Sequence, residues 1–122
     1  MKNEELQKKR DIVERTFNFS IEIIKLISLL PKNSLGFSLT SQIVRSGTSI
    51  GANVEEAQGA ISKKEFIQRM QIALKEARET RYWIRIIIET KLATETVTEK
   101  LLDEVNQLIG ILSTIVKNAK NN

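Results

Sequence analysis

The chain has neither cysteine nor histidine among its 122 residues. Without cysteine it can form no disulfide, no thiolate metal site and no thiol redox centre. Without histidine it lacks the side chain that most often moves protons at neutral pH, which is also the commonest metal ligand. Together the two absences exclude Ser-His-Asp and Cys-His nucleophile systems, zinc sites made from these residues and histidine-containing di-iron bundles.

The glutamates do not make up for these absences. Glu55 and Glu56 are adjacent on a predicted helix, so their side chains diverge by about 100° and cannot converge on one enclosed point. Surface charge or ion pairing is the favoured interpretation for them, and for Glu76 and Glu79. The sequence therefore predicts no enzyme activity, no metal, no cofactor and no small-molecule substrate.

Long hydrophobic runs are also absent. The most apolar stretch, residues 21–30, is interrupted by Glu22 and Lys25 and is too short to span a bilayer. The chain begins with charged residues, which is not the pattern of a secretory signal. We therefore expect a cytoplasmic protein with no membrane partner.

Breakers of secondary structure are scarce, with one proline and five glycines. Apolar residues recur at spacings of three and four almost throughout, which indicates helices. Because the length suits one domain, the sequence predicts a single all-α domain over residues 1–122, an antiparallel up-down four-helix bundle. Its helices are expected at about 4–30, 39–58, 63–91 and 97–118.

Local signals mark the predicted ends of these helices. Pro31 disfavours helical geometry in the residue before it and so ends the first helix. Residues 32–37 then form the longest predicted loop. The sequences SKKE at 62–65 and TVTE at 96–99 fit capping boxes that begin the third and fourth helices.

The second predicted helix carries Gly47 and Gly51 one turn apart, on or beside its apolar line. Each glycine costs up to about 1 kcal/mol relative to alanine in a helix. Such a cost is usually offset where another backbone packs closely, so we interpret both as sites of close helix packing.

The first predicted helix is apolar over about half of its circumference, which is wider than a bundle core needs. Phe17 and Ile21 are therefore candidates for an oligomer interface. Tyr82 and Trp83 are predicted to point away from the core line of the third helix and are further candidates. Stacking on unpaired bases is the alternative for these two aromatic residues.

The net charge is +4, and the same excess is carried by residues 62–93 alone, so the positive charge lies on the third helix. Candidate nucleic-acid-binding residues are Arg45, Lys63, Lys64, Arg78, Arg81 and Arg85. The last three lie on one flank of that helix, with Arg81 the most inward. Ion pairing with Glu55, Glu56 or Glu89 is the favoured interpretation of this flank, and phosphate binding is the alternative.

Three segments resemble a known family: RSGTSIGANVEEAQGA at 45–60, SKKEF at 62–66 and ALKEARETRYW at 73–83. The family is the bacterial four-helix-bundle proteins encoded in intervening sequences of large-subunit ribosomal RNA genes. The resemblance extends over about residues 11–116, and Val54, where isoleucine is usual, is the only departure in the core motif.

The resemblance implies a ring-like homopentamer, whose net charge would be 5 × 4 = +20. The accessory protein of diversity-generating retroelements, a basic pentamer that binds nucleic acid and a reverse transcriptase, looks like a distant relative. The resemblance supplies no catalytic residues. The positions matching the motif are expected to serve assembly or RNA binding: Arg45, Ser49, Asn53, Glu56, Arg78, Arg81 and Trp83.

The leading hypothesis is thus a non-enzymatic homo-oligomer that binds RNA or a ribonucleoprotein through the basic flank of the third helix. The alternative is a protein-protein scaffold without nucleic-acid contact.

Overall fold

The chain folds into four long helices, as seen in a computed structural model that describes the backbone of residues 3–122 and the side chains of residues 12–122. The helices are α1 (Asn3–Leu26), α2 (Ser34–Gln58), α3 (Lys63–Thr90) and α4 (Glu95–Asn121), and a short 3₁₀ turn (Ile27–Leu29) follows α1. No strand occurs in the part described. The predicted all-α class is confirmed.

The four helices form an up-down bundle. α2 packs against α1 and α3, and α4 packs against α3 and α1, so that α1 and α3 lie on one diagonal of the bundle. Each of the three connections, at 30–33, 59–62 and 91–94, has four residues. Connections this short force consecutive helices to be antiparallel neighbours.

The core is a continuous cluster of buried apolar side chains that recur at helical spacing on every helix, because one face of each helix is turned inward. Its members are Ile12, Phe19, Ile23, Leu26, Ile43, Ile50, Val54, Ala57, Met70, Ala73, Ala77, Ile84, Ile87, Leu101, Val105, Leu108, Leu112 and Val116, with Leu30 at one end. None of the helices within residues 3–122 has the length and apolar character needed to cross a bilayer.

Two predicted helix ends differ from the structure at the first connection. The α-helical part of α1 ends at Leu26 rather than near residue 30, although Leu30 is extended, as a residue before proline should be. α2 begins at Ser34 instead of residue 39, so most of the predicted loop is helical. The reason is Asn33, whose side-chain oxygen accepts a hydrogen bond from the Gly36 amide at 2.9 Å and caps the helix.

The two predicted capping boxes have different outcomes. Ser62 caps α3, since its hydroxyl oxygen accepts from the Glu65 amide at 3.1 Å, while the Glu65 carboxylate accepts from the Ile61 amide at 3.1 Å. The prediction at 96–99 is wrong, because α4 already begins at Glu95 and its N-cap, Thr94, makes no side-chain cap.

A buried pair of hydroxyl groups joins α2 to α3. Thr80 Oγ1 lies 2.9 Å from Ser46 Oγ, and both residues are fully buried. Thr80 also donates to the Glu76 carbonyl oxygen at 2.8 Å. The Thr80 hydroxyl has a single proton, so Ser46 donates to Thr80.

We expect Thr80→Val to lower the free energy of unfolding by about 1–3 kcal/mol, because it leaves the buried Ser46 hydroxyl without its acceptor. The double variant Ser46→Ala/Thr80→Val removes both polar groups and should recover most of that loss. Urea unfolding followed by circular dichroism measures both effects. A double variant no more stable than Thr80→Val would contradict this account of the pair.

Candidate functional site

The outermost residues of α3 form one exposed line, which we call the basic line. The buried residues of α3 turn inward, so the exposed residues opposite them recur at spacings of four and three. From the start of the helix to its last turns they are Lys64, Gln68, Gln71, Lys75, Arg78, Tyr82 and Arg85. The line contains four cations, one aromatic residue and no carboxylate, and Glu89 follows one turn after its end.

Arg78 and Arg85 have no hydrogen bond or ion pair with any residue in 12–122, and both are exposed. The favoured prediction, in which they pair with Glu55, Glu56 or Glu89, is therefore wrong for that part of the chain. Glu56 pairs instead with Arg69 at 3.1 Å.

Other arginines of the bundle are held by carboxylates. Two nitrogens of Arg15 on α1 bind the two carboxylate oxygens of Glu104 on α4, at 3.1 and 2.6 Å. Arg45 on α2 binds Glu76 at 3.1 Å and also Glu79 on α3. Among residues 12–122, Arg78 and Arg85 are thus guanidinium groups that remain available to bind an external anion.

Arg81 is the most inward of the three predicted arginines, as the sequence indicated. It is partly exposed, and its Nη1 donates to Asn106 Oδ1 on α4 at 3.3 Å. The partner is a neutral amide, so the positive charge of Arg81 is not neutralised by this bond. Arg81 thus lies at the junction of α3 and α4.

Arg45 is separated from the basic line. It contacts the flank of α3 that faces α2, whereas Arg81 contacts the flank that faces α4. Its two carboxylate partners occupy its guanidinium. The structure therefore does not bring Arg45 together with Arg78 and Arg85.

Tyr82 and Trp83 differ in their surroundings. Tyr82 is 58% exposed, but Trp83 is half-buried, packs against the core cluster and donates its indole N–H to Glu79 at 3.1 Å. The expectation that both aromatic residues point away from the core is wrong for Trp83. Their rings meet edge to face, with centroids 5.2 Å apart.

The beginning of α3 adds a second basic region. Lys63, Lys64, Gln68 and Gln71 line an open groove of about 530 Å³ together with Lys120 from the end of α4. The Lys63 ammonium group donates to the backbone oxygen of Asn122. Sequence reasoning missed Lys75 and Lys120. Lys75 could have been identified from the sequence, because it continues the spacing of four and three residues that the exposed positions of α3 follow.

The wide apolar arc of α1 leaves an exposed row, which we call the α1 stripe: Phe17, Ile21 and Ile24. Phe17 is 63% exposed. It borders an open groove of about 750 Å³ between α1 and α2, whose floor includes Gly51 and Ala52. The chain's own core therefore leaves this face of α1 uncovered.

Gly47 and Gly51 lie where α1 packs closely against α2. A Cβ atom at Gly47 would be 2.9 Å from two side-chain carbons of Ile23, and one at Gly51 would be 3.0 Å from the carbonyl oxygen of Thr16. A side chain at Gly47 would therefore force Ile23 or α1 to shift, and one at Gly51 would press against the backbone of α1.

The acidic residues form no metal centre in the described part of the chain, where no group of three or more potential ligands converges. Glu76 and Glu79 are instead engaged by Arg45. These carboxylates therefore serve ion pairs between helices.

Residues 8–114 match the family model described as 23S rRNA-intervening sequence protein. The chain is also similar to a solved crystal structure from Bacteroides thetaiotaomicron, described as a protein with unknown function from the S23 ribosomal protein family. The two sequences are 36% identical, the match covers 90% of this chain and 98% of that chain, and the TM-score is 0.83. No curated protein matches this chain.

Proposed function

Because the chain belongs to the 23S rRNA-intervening sequence protein family, we propose that it is a non-enzymatic homo-oligomer that binds RNA or a ribonucleoprotein through the basic line of α3. The family connects the protein to ribosomal RNA, and the basic line gives the connection a physical basis. The observation that carries the proposal is the absence of partners for Arg78 and Arg85 within residues 12–122.

The chemistry of this surface suits a phosphate backbone. Guanidinium groups bind phosphate oxygens with two parallel hydrogen bonds and keep their charge at every physiological pH. Lys64 and Lys75 add cations on the same line, and Lys120 adds one beside Lys64. Binding a polyanion there releases its counterions, which supplies most of the affinity at low salt.

Self-association is the second part of the proposal. The α1 stripe is apolar and exposed, and a second copy of the chain would remove it from water. A homopentamer would bring together five basic lines and a net charge of +20, given +4 per chain. Such a field attracts a polyanion over a longer range than one chain does.

A protein-protein scaffold is the second candidate function, and the exposure of both the α1 stripe and Tyr82 favours it. In that case another protein, rather than RNA, would cover the basic line. Carboxylates of that partner protein would then have to pair with Arg78 and Arg85.

The test is a titration of labelled structured RNA with the protein at about 50 mM and about 200 mM salt. We expect binding that weakens steeply with salt. The variant Arg78→Ala/Arg85→Ala should reduce the slope of log affinity against log salt by about 2, because two phosphate contacts are lost.

The matched control is Lys25→Ala/Lys100→Ala, which removes the same charge from exposed positions on α1 and α4. It should leave the slope nearly unchanged. Absence of RNA binding at the lower salt concentration would refute the RNA-binding function. Equal loss of slope in the two variants would refute its location.

A further inference from the structure

We propose that Tyr82, between Arg78 and Arg85, stacks on a base of an unpaired RNA segment, so that the preferred ligand is single-stranded RNA. This proposal rests on the RNA-binding function and names the kind of RNA. It treats Tyr82 as part of the binding surface, whereas the sequence suggested an oligomer interface.

The first step is the position of Tyr82 on the basic line. It follows Arg78 by four residues and precedes Arg85 by three, so the three side chains share one face of α3. The two arginines are about 10 Å apart along the helix axis. A phenol ring that is 58% exposed therefore lies between two guanidinium groups that have no partner within residues 12–122.

The second step is the set of contacts that the ring makes with its neighbours. Trp83 meets it edge to face, and the indole N–H of Trp83 is fixed by Glu79. Glu79 is in turn held by Arg45 on α2. These contacts link the exposed Tyr82 ring to α2 through Trp83, Glu79 and Arg45.

The third step is the choice of ligand. Duplex RNA keeps its bases stacked on each other and offers mainly phosphates and 2′-hydroxyls, so an exposed aromatic ring gains little from it. An unpaired base can stack on the ring while the neighbouring phosphates meet the arginines. The absence of any carboxylate from Lys64 to Arg85 on the line favours a polyanion over an acidic or apolar protein surface.

The experiment compares two probes with the 122-residue chain: a labelled oligouridylate, which stays single-stranded, and a blunt RNA duplex of the same strand length. We expect the single strand to bind more tightly. Tyr82→Ala should weaken its binding about tenfold or more, with little effect on the duplex, and Tyr82→Phe should retain wild-type binding.

Controls separate stacking from other losses. Phe37→Ala removes an aromatic side chain of similar exposure, 62%, from the first turn of α2 and should change neither affinity. Trp83 is the only tryptophan, so its emission should respond to oligouridylate in the wild type and in Tyr82→Phe but not in Tyr82→Ala.

Each contrary result has a distinct meaning. If the two probes bind with equal affinity and Tyr82→Ala changes neither affinity, the stacking proposal is overturned while RNA binding stands. Failure of both probes to bind would overturn the RNA-binding function together with this inference. If the Tyr82→Ala protein no longer self-associates in light scattering, Tyr82 belongs to a protein interface, and the proposal is also overturned.

Discussion

Gly47→Leu is expected to lower the free energy of unfolding by about 1–3 kcal/mol, a large part of the stability of a small domain. The first atom of any side chain at this position would lie 2.9 Å from Ile23, which is fully buried. Accommodating leucine therefore requires the Ile23 side chain or α1 itself to shift, which disturbs the packing of the core between α1 and α2. Urea unfolding at a fixed chain concentration measures the loss.

The matched control is Gly110→Leu on α4. A Cβ atom at Gly110 would meet nothing within 4 Å, so the same substitution should raise stability by up to about 1 kcal/mol through helix propensity alone. The two variants should thus change stability in opposite directions. A stabilised Gly47→Leu protein would show that α1 and α2 do not depend on close approach at this glycine.

Phe17→Glu is expected to convert the proposed homo-oligomer into single chains. The substitution places a charge in the middle of the α1 stripe, where burial by a second copy would leave the carboxylate without water or a partner. The fold should persist, because Phe17 is exposed and outside the core cluster. Light scattering and circular dichroism together distinguish loss of assembly from loss of structure.

Ile61→Glu provides the control for the assembly prediction. Ile61 is 95% exposed in the connection between α2 and α3, so this variant makes the same apolar-to-acidic change away from α1. It should keep the oligomeric state. If Phe17→Glu remains as assembled as the wild type, the α1 stripe is not the surface that joins the copies.

The fold could be predicted from the sequence because its strongest signal is local. Apolar residues recur at helical spacing in every segment, and few glycines or prolines interrupt them. The helix ends were less predictable, because several polar residues near each end compete to cap it. Asn33 caps α2, so this helix starts five residues earlier than its apolar line suggested.

The candidate site could be predicted only in part. The register of α3 placed Arg78 and Arg85 outside the core, and the flank position of Arg81 also followed from it. Whether these arginines form ion pairs could not be predicted, because an ion pair depends on which neighbouring helix faces the side chain. Trp83 was misplaced for a related reason: its side chain packs against the core cluster and donates to Glu79, which pairs with Arg45 of α2, and the sequence of α3 alone does not reveal this.

The diagonal placement of α1 and α3 has a consequence for affinity. Helices on one diagonal turn their outer faces in opposite directions, so covering the α1 stripe of a copy does not by itself cover that copy's own basic line. A nucleic-acid strand long enough to reach two such lines would meet the second at a high effective concentration, and avidity would add to the strength of each separate contact. Individually weak surfaces could then retain one long strand while releasing short fragments.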